Sequence, residues 1–265
     1  MIRNGMTWQS PSGEILEFAV DRHPSTGLWV TEAEGFVSEV ETETEISADG
    51  VGEDRTGYSI PAFTGELTVL IAPRDAGRMV TVADAWGEFS RAFNQLRYGR
   101  LTIPQYDGQI LSTPMRLAAP IAPPEFHPRS QKDYIEAVVE LRSDAGVWTG
   151  RTEPGVTTEE GALRLLNAGD LPAFVDVEFT HGTVSINGAD PVTLPTVDET
   201  RRLVTNPGQG YKITDPATGR ADVDAWSSMR GRPVPGRVEP GEMVLVENTG
   251  DVSVSLTPLF TTPWR

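Results

Sequence analysis

The stretch Leu166-Asn167-Ala168-Gly169-Asp170-Leu171-Pro172-Ala173-Phe174-Val175-Asp176-Val177-Glu178-Phe179-Thr180-His181-Gly182-Thr183-Val184-Ser185-Ile186 sets the pattern of the chain. It reads as a turn cluster, a strand over Pro172–Thr180, a break at His181-Gly182 and a second strand over Thr183–Ile186. A short segment over Glu160–Leu166 precedes it. Further strands are predicted at Arg201–Thr205, Tyr211–Thr214, Glu242–Glu247 and Val252–Leu259, each bounded by Gly, Pro, Asn or Asp. Short strands with such punctuation predict a β sandwich.

The whole chain supports a mostly β architecture. Its 26 glycines and 21 prolines among 265 residues supply turns and oppose long helices. The length exceeds one core of common size and fits two modest domains, the expectation here, or one large β domain. The segment Ser143–Glu160 is polar and rich in Gly, Pro and Thr, with Trp148 its only large apolar residue, and it reads as a linker. The boundary falls near residue 150, which gives an N-terminal β domain over 1–150 and a β-sandwich domain over 151–265.

In the first half, residues 13–20 and 28–30 flank Pro24-Ser25-Thr26-Gly27 and read as the arms of an N-terminal hairpin. Along Glu39–Ile46, Glu39, Glu41, Glu43 and Glu45 share one face, with Val40, Thr42, Thr44 and Ile46 on the other. That predicts a strand with a solvated acidic face, whose like charges oppose edge-to-edge aggregation. Gly50–Gly57 reads as a polar loop and Gly65–Ala72 as a strand. One helix is expected: Val82, Ala85, Trp86, Phe89, Phe93 and Leu96 recur at steps of three and four, Thr81 and Asp84 cap the start, and Gly99 marks the end. Strands follow at Arg100–Tyr106, Pro114–Ala119 and Asp133–Arg142. In the last, Ile135, Ala137, Val139 and Leu141 alternate with Tyr134, Glu136, Val138 and Glu140.

No catalytic, cofactor or metal site emerges. Cysteine is absent, so disulfides, thiolate ligands and a cysteine nucleophile are excluded together. His23, His127 and His181 are far apart, and none has a second ligand at metal-site spacing. No nucleophile elbow, phosphate-cradling Gly-rich loop or paired-histidine zinc motif is present. Paired carboxylates could serve a glycosidase, but nothing selects two of the 38 acids. Asp215-Pro-Ala-Thr-Gly219 with Asp222 and Asp224 does not follow calcium-loop spacing and reads as a hairpin turn. The net charge of −16 disfavours sequence-specific nucleic-acid binding. No run approaches the roughly 20 apolar residues of a membrane span, and the N-terminus lacks a secretory apolar core, so synthesis in a cytoplasm and no membrane insertion are expected.

The order of elements from Leu166 onward resembles the C-terminal domain of siphophage distal tail and minor tail proteins. The resemblance rests on the 166–186 stretch, Glu199–Leu203, Tyr211–Asp215, Asp224-Ala225-Trp226 with Met229-Arg230, Pro240-Gly241-Glu242 before a strand, Asn248-x-Gly250, and a last strand closing on Phe260 and Trp264. Asn4-Gly5 with Trp8, the Gly65 strand, the helix near 82–96 and Tyr98-Gly99-Arg100 agree more loosely. It implies a β-barrel-like N-terminal domain that forms a ring, a hexamer in such families, and a galectin-like β sandwich projecting outward. It also implies a virion protein at the tail tip of a long non-contractile tail, made in the host cytoplasm. Its expected partners are further copies of itself, the tail tube protein, tip or fibre proteins and the tape-measure protein. Binding of a carbohydrate or receptor is a second reading, for which Trp148, Trp226 and Trp264 would have to form an exposed platform.

Overall fold

A computed structural model describes residues 5–19, 27–46, 53–73, 81–125, 134–158 and 161–264. The chain is mostly β, with antiparallel sheets, and divides into two compact units: residues 1–149 with 261–265, and residues 150–260.

The first unit contains β1 (Met6–Gln9), β2 (Ile15–Phe18), β3 (Leu28–Gly35), β4 (Glu41–Ile46), β5 (Glu53–Ser59), β6 (Phe63–Ile71), helix α1 (Val82–Arg91), β7 (Gly99–Pro104), β8 (Ile110–Leu117), β9 (Ile135–Ser143) and β10 (Trp148–Thr149). Its main sheet runs β2-β1-β7-β8-β9-β6-β3. The two end strands meet again through a parallel bridge between Ala19 and Trp29, where Ala19 N donates to Leu28 O and Val30 N to Ala19 O, both at 3.0 Å. That bridge joins the sheet's two edges, so the expected barrel is present. The N-terminal hairpin is different from the one expected: β2 pairs with β1 around a turn at Ser10–Glu14, and β3 pairs with β6. Alternating strands carry the core, with Leu67, Val69, Ile71, Ile135, Ala137, Val139 and Leu141 all buried.

Helix α1 starts as its sequence predicts, with Thr81 and Asp84 in a reciprocal capping box and Val82, Ala85 and Phe89 buried. It stops early, at Ala92. The Asn94 carboxamide oxygen accepts from the amides of Leu96 and Arg97, which offers the backbone a turn in place of another helical turn. Leu96 is consequently 90% exposed rather than core-facing, and Gly99 opens β7 against the Trp8 ring. Trp8 stacks on Phe93 with centroids 4.9 Å apart and donates its indole N–H to Ala92 O.

The second unit contains β11 (Glu153–Pro154), β12 (Val156–Thr157), β13 (Leu163–Leu166), β14 (Ala173–Ile186), β15 (Val192–Leu194), β16 (Arg201–Val204), β17 (Ile213–Thr214), helix α2 (Val223–Ser228), β18 (Arg237–Val238), β19 (Met243–Leu256) and β20 (Leu259–Phe260). Its sheet runs β12-β13-β19-β14-β16-β17, with β11, β15 and β18 added at the sides. The two strands expected on either side of His181-Gly182 are one 14-residue strand, and so are those on either side of Asn248–Asp251. The breaks are bulge chemistry inside paired strands. Gly182 lies opposite Gly250, the register shifts between Phe179 and His181, and Gly182 has φ 136°. A Cβ there would sit 1.9 Å from Thr249 O, so glycine is required by both conformation and contact. Val175, Val177, Phe179, Val184 and Ile186 of β14 and Val244, Val246, Val254 and Leu256 of β19 form the core with Ile213, Ala225, Met229, Val234 and Val238.

Candidate functional site

The carboxylates most constrained by their surroundings hold the fold together. Asp144 accepts from Arg116 Nε at 2.8 Å, Arg142 Nε at 2.7 Å and Tyr98 Oη at 2.6 Å, and these donors, Arg116 foremost, hold its carboxyl far below the usual carboxylate range. Asp222 accepts from Arg201 Nε at 2.8 Å and caps α2 through the Ala225 amide, and both depress its pKa. Asp176 is buried and paired to Arg202. Asp215 accepts from the Ala217 and Thr218 amides within a turn closed by Asp215 N donating to Arg220 O. The Asp215–Asp224 segment is therefore a capped turn followed by a short helix that sequence reading missed. Its signal was Asp222 three residues before Ala225.

Of the histidines, His23 and His127 lie outside the described residues. His181 is exposed on β14, its Nδ1 3.1 Å from Thr180 Oγ1, and that hydroxyl donates to Asp251 Oδ2 at 2.7 Å. The order is wrong for nucleophilic catalysis, where the imidazole must stand between hydroxyl and carboxylate. Among the described residues no three His, Asp or Glu side chains converge as a metal site would need, and no helix is long and apolar enough to cross a membrane.

The feature without an internal explanation is the ribbon formed by β4 and β5. It belongs to neither main sheet, and residues 41–45 are exposed on both faces, so Thr42 and Thr44 do not pack inward as the alternation predicted. Val40 is 40% exposed as well. The Gly50–Gly57 loop expected from sequence gives way to strand by Glu53. A two-stranded ribbon whose residues 41–45 stand in solvent is marginal in water.

The base of the ribbon is built firmly. Where the chain leaves β3, Gly35 and Phe36 both adopt left-handed φ, 73° and 62°, and Phe36 is fully buried. Trp148 donates its indole N–H to Phe36 O at 2.9 Å, Trp264 donates to Gly35 O at 3.0 Å, and Ser38 N donates to Thr261 O at 2.7 Å. On the returning leg, Phe63 stacks on Trp148 with centroids 6.1 Å apart. A Cβ at Gly146 would lie 2.6 Å from Pro61 O, so the 144–147 turn abuts that leg too.

A second unusual surface is the outer face of β3, β6 and β9. Glu34, Glu66 and Glu140 stand directly opposite one another across three strands, with Glu32 and Glu136 on the same face, all exposed. Like charges so placed repel. This acidic face was not read from the sequence, because its members come from three distant strands.

The tryptophans named for a glycan platform do not form one. Trp148 is buried in the first unit, and Trp226 and Trp264 are half-buried in different units with their N–H groups spent on Gly210 O and Gly35 O. The second unit does carry a hollow of about 400 Å³, lined by Thr183, Ser185, Leu245, Glu247, Asn248 and Thr249 among others. Ala162, Pro191 and Leu245 make its lining as apolar as it is polar, beside the hydroxyls, an amide and a carboxylate, and it has no aromatic ring.

No protein-family model matches the chain, and no curated protein matches it. The solved structures give a different result: over nearly its whole length the chain has the fold of a phage adsorption-apparatus hub. The match to the crystal structure of phage SPP1 Dit, described as a hub adsorption apparatus paradigm in phages infecting Gram-positive bacteria, has a TM-score of 0.60 at 12% identity. It covers 96% of this chain and 99% of that one. A chain of the activated phage P2 baseplate matches with a TM-score of 0.51 at 10% identity, covering 97% and 98%.

Proposed function

We propose that this chain is a structural, non-enzymatic subunit of a phage tail tip, a distal tail protein that assembles with copies of itself into a ring. The observation that carries this reading is the end-to-end fold correspondence with SPP1 Dit, in which both units are matched and almost nothing is left over on either side. The exposed β4–β5 ribbon supports it, because an uncovered two-stranded element becomes stable when another copy lays a face against it. In this reading residues 1–150 build the ring, a hexamer, between tail tube and tip or fibre proteins, with the tape-measure protein also in contact. Of the expected 151–265 domain, the part up to Phe260 projects outward as a galectin-like sandwich, while residues 261–265 belong to the first unit. The protein is made in the host cytoplasm and ends in the virion.

The acidic surfaces fit a ring that passes a genome. Carboxylates facing the lumen repel the phosphate backbone and keep it from adhering. Both the Glu39–Glu45 strand and the Glu34–Glu66–Glu140 row are suited to that place. Replacing Glu39, Glu41, Glu43 and Glu45 by lysine is expected to allow assembly while impairing genome passage, and unchanged infectivity would count against the lumen assignment.

The decisive experiment is the mass of the purified protein with images of its particles. Ring particles of about six subunits are expected, and a protein that stays monomeric at high concentration would overturn the reading. The hollow on the second unit favours one alternative, binding of a hydroxyl-rich ligand at the tail tip. Calorimetric binding of an oligosaccharide, lost on Glu247→Ala, would establish it.

A further inference from the structure

We infer that Trp264 is a positioning residue for assembly: the Thr261–Trp264 segment straps the base of the β4–β5 ribbon and fixes the direction in which the ribbon leaves the barrel. This deepens the assembly reading and rests on it.

The argument starts at the backbone. Gly35 and Phe36 are consecutive left-handed residues, a conformation costly for phenylalanine, and something must hold it. Phe36 N donates to Thr64 O at 3.1 Å, which uses the last rung between β3 and β6. The carbonyls of these two residues then point away from the ladder, and each is met by an indole N–H. The two tryptophans are not equivalent. Trp148 is fully buried, touches Phe36 edge-on at 6.4 Å and stacks on Phe63, so it belongs to the barrel core. Trp264 approaches Phe36 edge-on at 6.2 Å from the partly exposed side. It comes from a segment 229 residues away in sequence, tied on by the Ser38–Thr261 hydrogen bond. Ser38 is buried with its hydroxyl unpartnered, so this joint is closed by main-chain bonding and ring packing.

Immediately beyond Ser38, Glu39 and Val40 are exposed and the ribbon begins. Residues 41–45 of the ribbon bury no side chain, so its direction is inherited from its base. Removing the outer indole frees the Gly35 carbonyl and uncovers one side of Phe36, while the barrel core, held by Trp148, stays closed. The strap therefore costs the ribbon order when lost, without costing the barrel its fold.

The test uses the full chain with Trp264→Ala and, as a conservative variant, Trp264→Phe, which keeps ring packing and removes the N–H. Hydrogen exchange at low concentration reports the isolated subunit, and particle mass reports assembly. Trp264→Ala should speed exchange at residues 37–45 by about tenfold, the factor for one lost hydrogen bond with its packing. Amides of β6, β7 and β9 should be unchanged, and the ring fraction should fall. Trp264→Phe should lie between and decides the matter if the alanine variant does not fold. Unchanged exchange at 37–45, or a rise spread evenly through the barrel, overturns the inference. Absence of rings in the unaltered protein would sink the assembly reading alone, since the exchange result still decides whether the strap orders the ribbon.

Discussion

Two antiparallel pairs in this molecule have opposite supports. The β14–β19 pair runs through 11 register partners with one side chain in two buried, and it carries the core of its unit. The β4–β5 pair has six register partners and leaves residues 41–45 in solvent on both faces. Backbone hydrogen bonding is similar in kind in the two, and its net contribution per bond is small. What differs is apolar burial, worth roughly 1.5–3 kcal/mol for each large side chain fully removed from water. The first pair is stabilised by the core it shares with the rest of its unit. The second keeps its residues 41–45 in solvent and is fastened at its base.

The comparison breaks most visibly at the bulge. Gly182→Val should unfold the second unit or cost it several kcal/mol, because a Cβ cannot fit 1.9 Å from Thr249 O and valine resists positive φ. Phe179→Ala, a cavity in the same strand, should cost about 3–5 kcal/mol. Urea unfolding followed by tryptophan fluorescence measures both. A loss below about 1 kcal/mol for either would mean the pair is less essential than its burial implies.

A proline at Thr42, the second residue of β4, makes the contrast from the other side. It fixes φ within the ribbon's register but disturbs no core, so the urea midpoint should stay within the range of a surface substitution, about 0.5 kcal/mol. Ring formation should fail. Normal rings from Thr42→Pro would show that the ribbon is not an assembly element.

These outcomes also explain what was legible in the sequence. Alternation in β9 and the aromatic stripe of α1 were readable because one face is buried, and burial imposes period on composition. The 47–52 segment lies outside the described residues, and β5 beyond it reads as loop because Glu53–Ser59 is mostly polar and has no alternating apolar face. The opposite error occurred at His181-Gly182 and Asn248–Gly250. Glycine and asparagine there predict chain breaks, whereas two glycines facing each other let long strands bulge and continue. The ribbon's base has no signature in the sequence: Trp148 and Trp264 reach Gly35-Phe36 only through the fold, and no local spacing links them.

The Asp144 cluster tests how firmly the turn beside the ribbon's returning leg is fixed. Its carboxyl is held well below the usual range by Arg116, Tyr98 and Arg142, so the folded chain binds that proton more weakly than the unfolded chain. The resulting stabilisation is present in full above the unfolded value of about 4 and is lost as pH falls from there toward the folded value. Asp144→Asn should remove that part of the acid sensitivity. Urea midpoints of the two proteins should therefore differ at pH 7 and converge toward pH 2, and a gap that stays constant would mean the carboxylate's charge is not what holds the turn.

The smallest effect is expected on the acidic face, where electrostatics works against the fold. Glu66 stands between Glu34 and Glu140, so its charge meets a like charge on each side. Glu66→Gln keeps the shape and the strand position while removing two repulsions, so the urea midpoint should rise slightly at low ionic strength. The rise should fade as salt shortens the screening length from about 30 Å at 0.01 M to about 8 Å at 0.15 M. A substitution that instead lowers stability at every salt concentration would mean that Glu66 makes a favourable contact outweighing its neighbours' charge. A salt-sensitive gain would show that the row persists against its own repulsion, which is what a surface kept acidic for the sake of something passing over it requires.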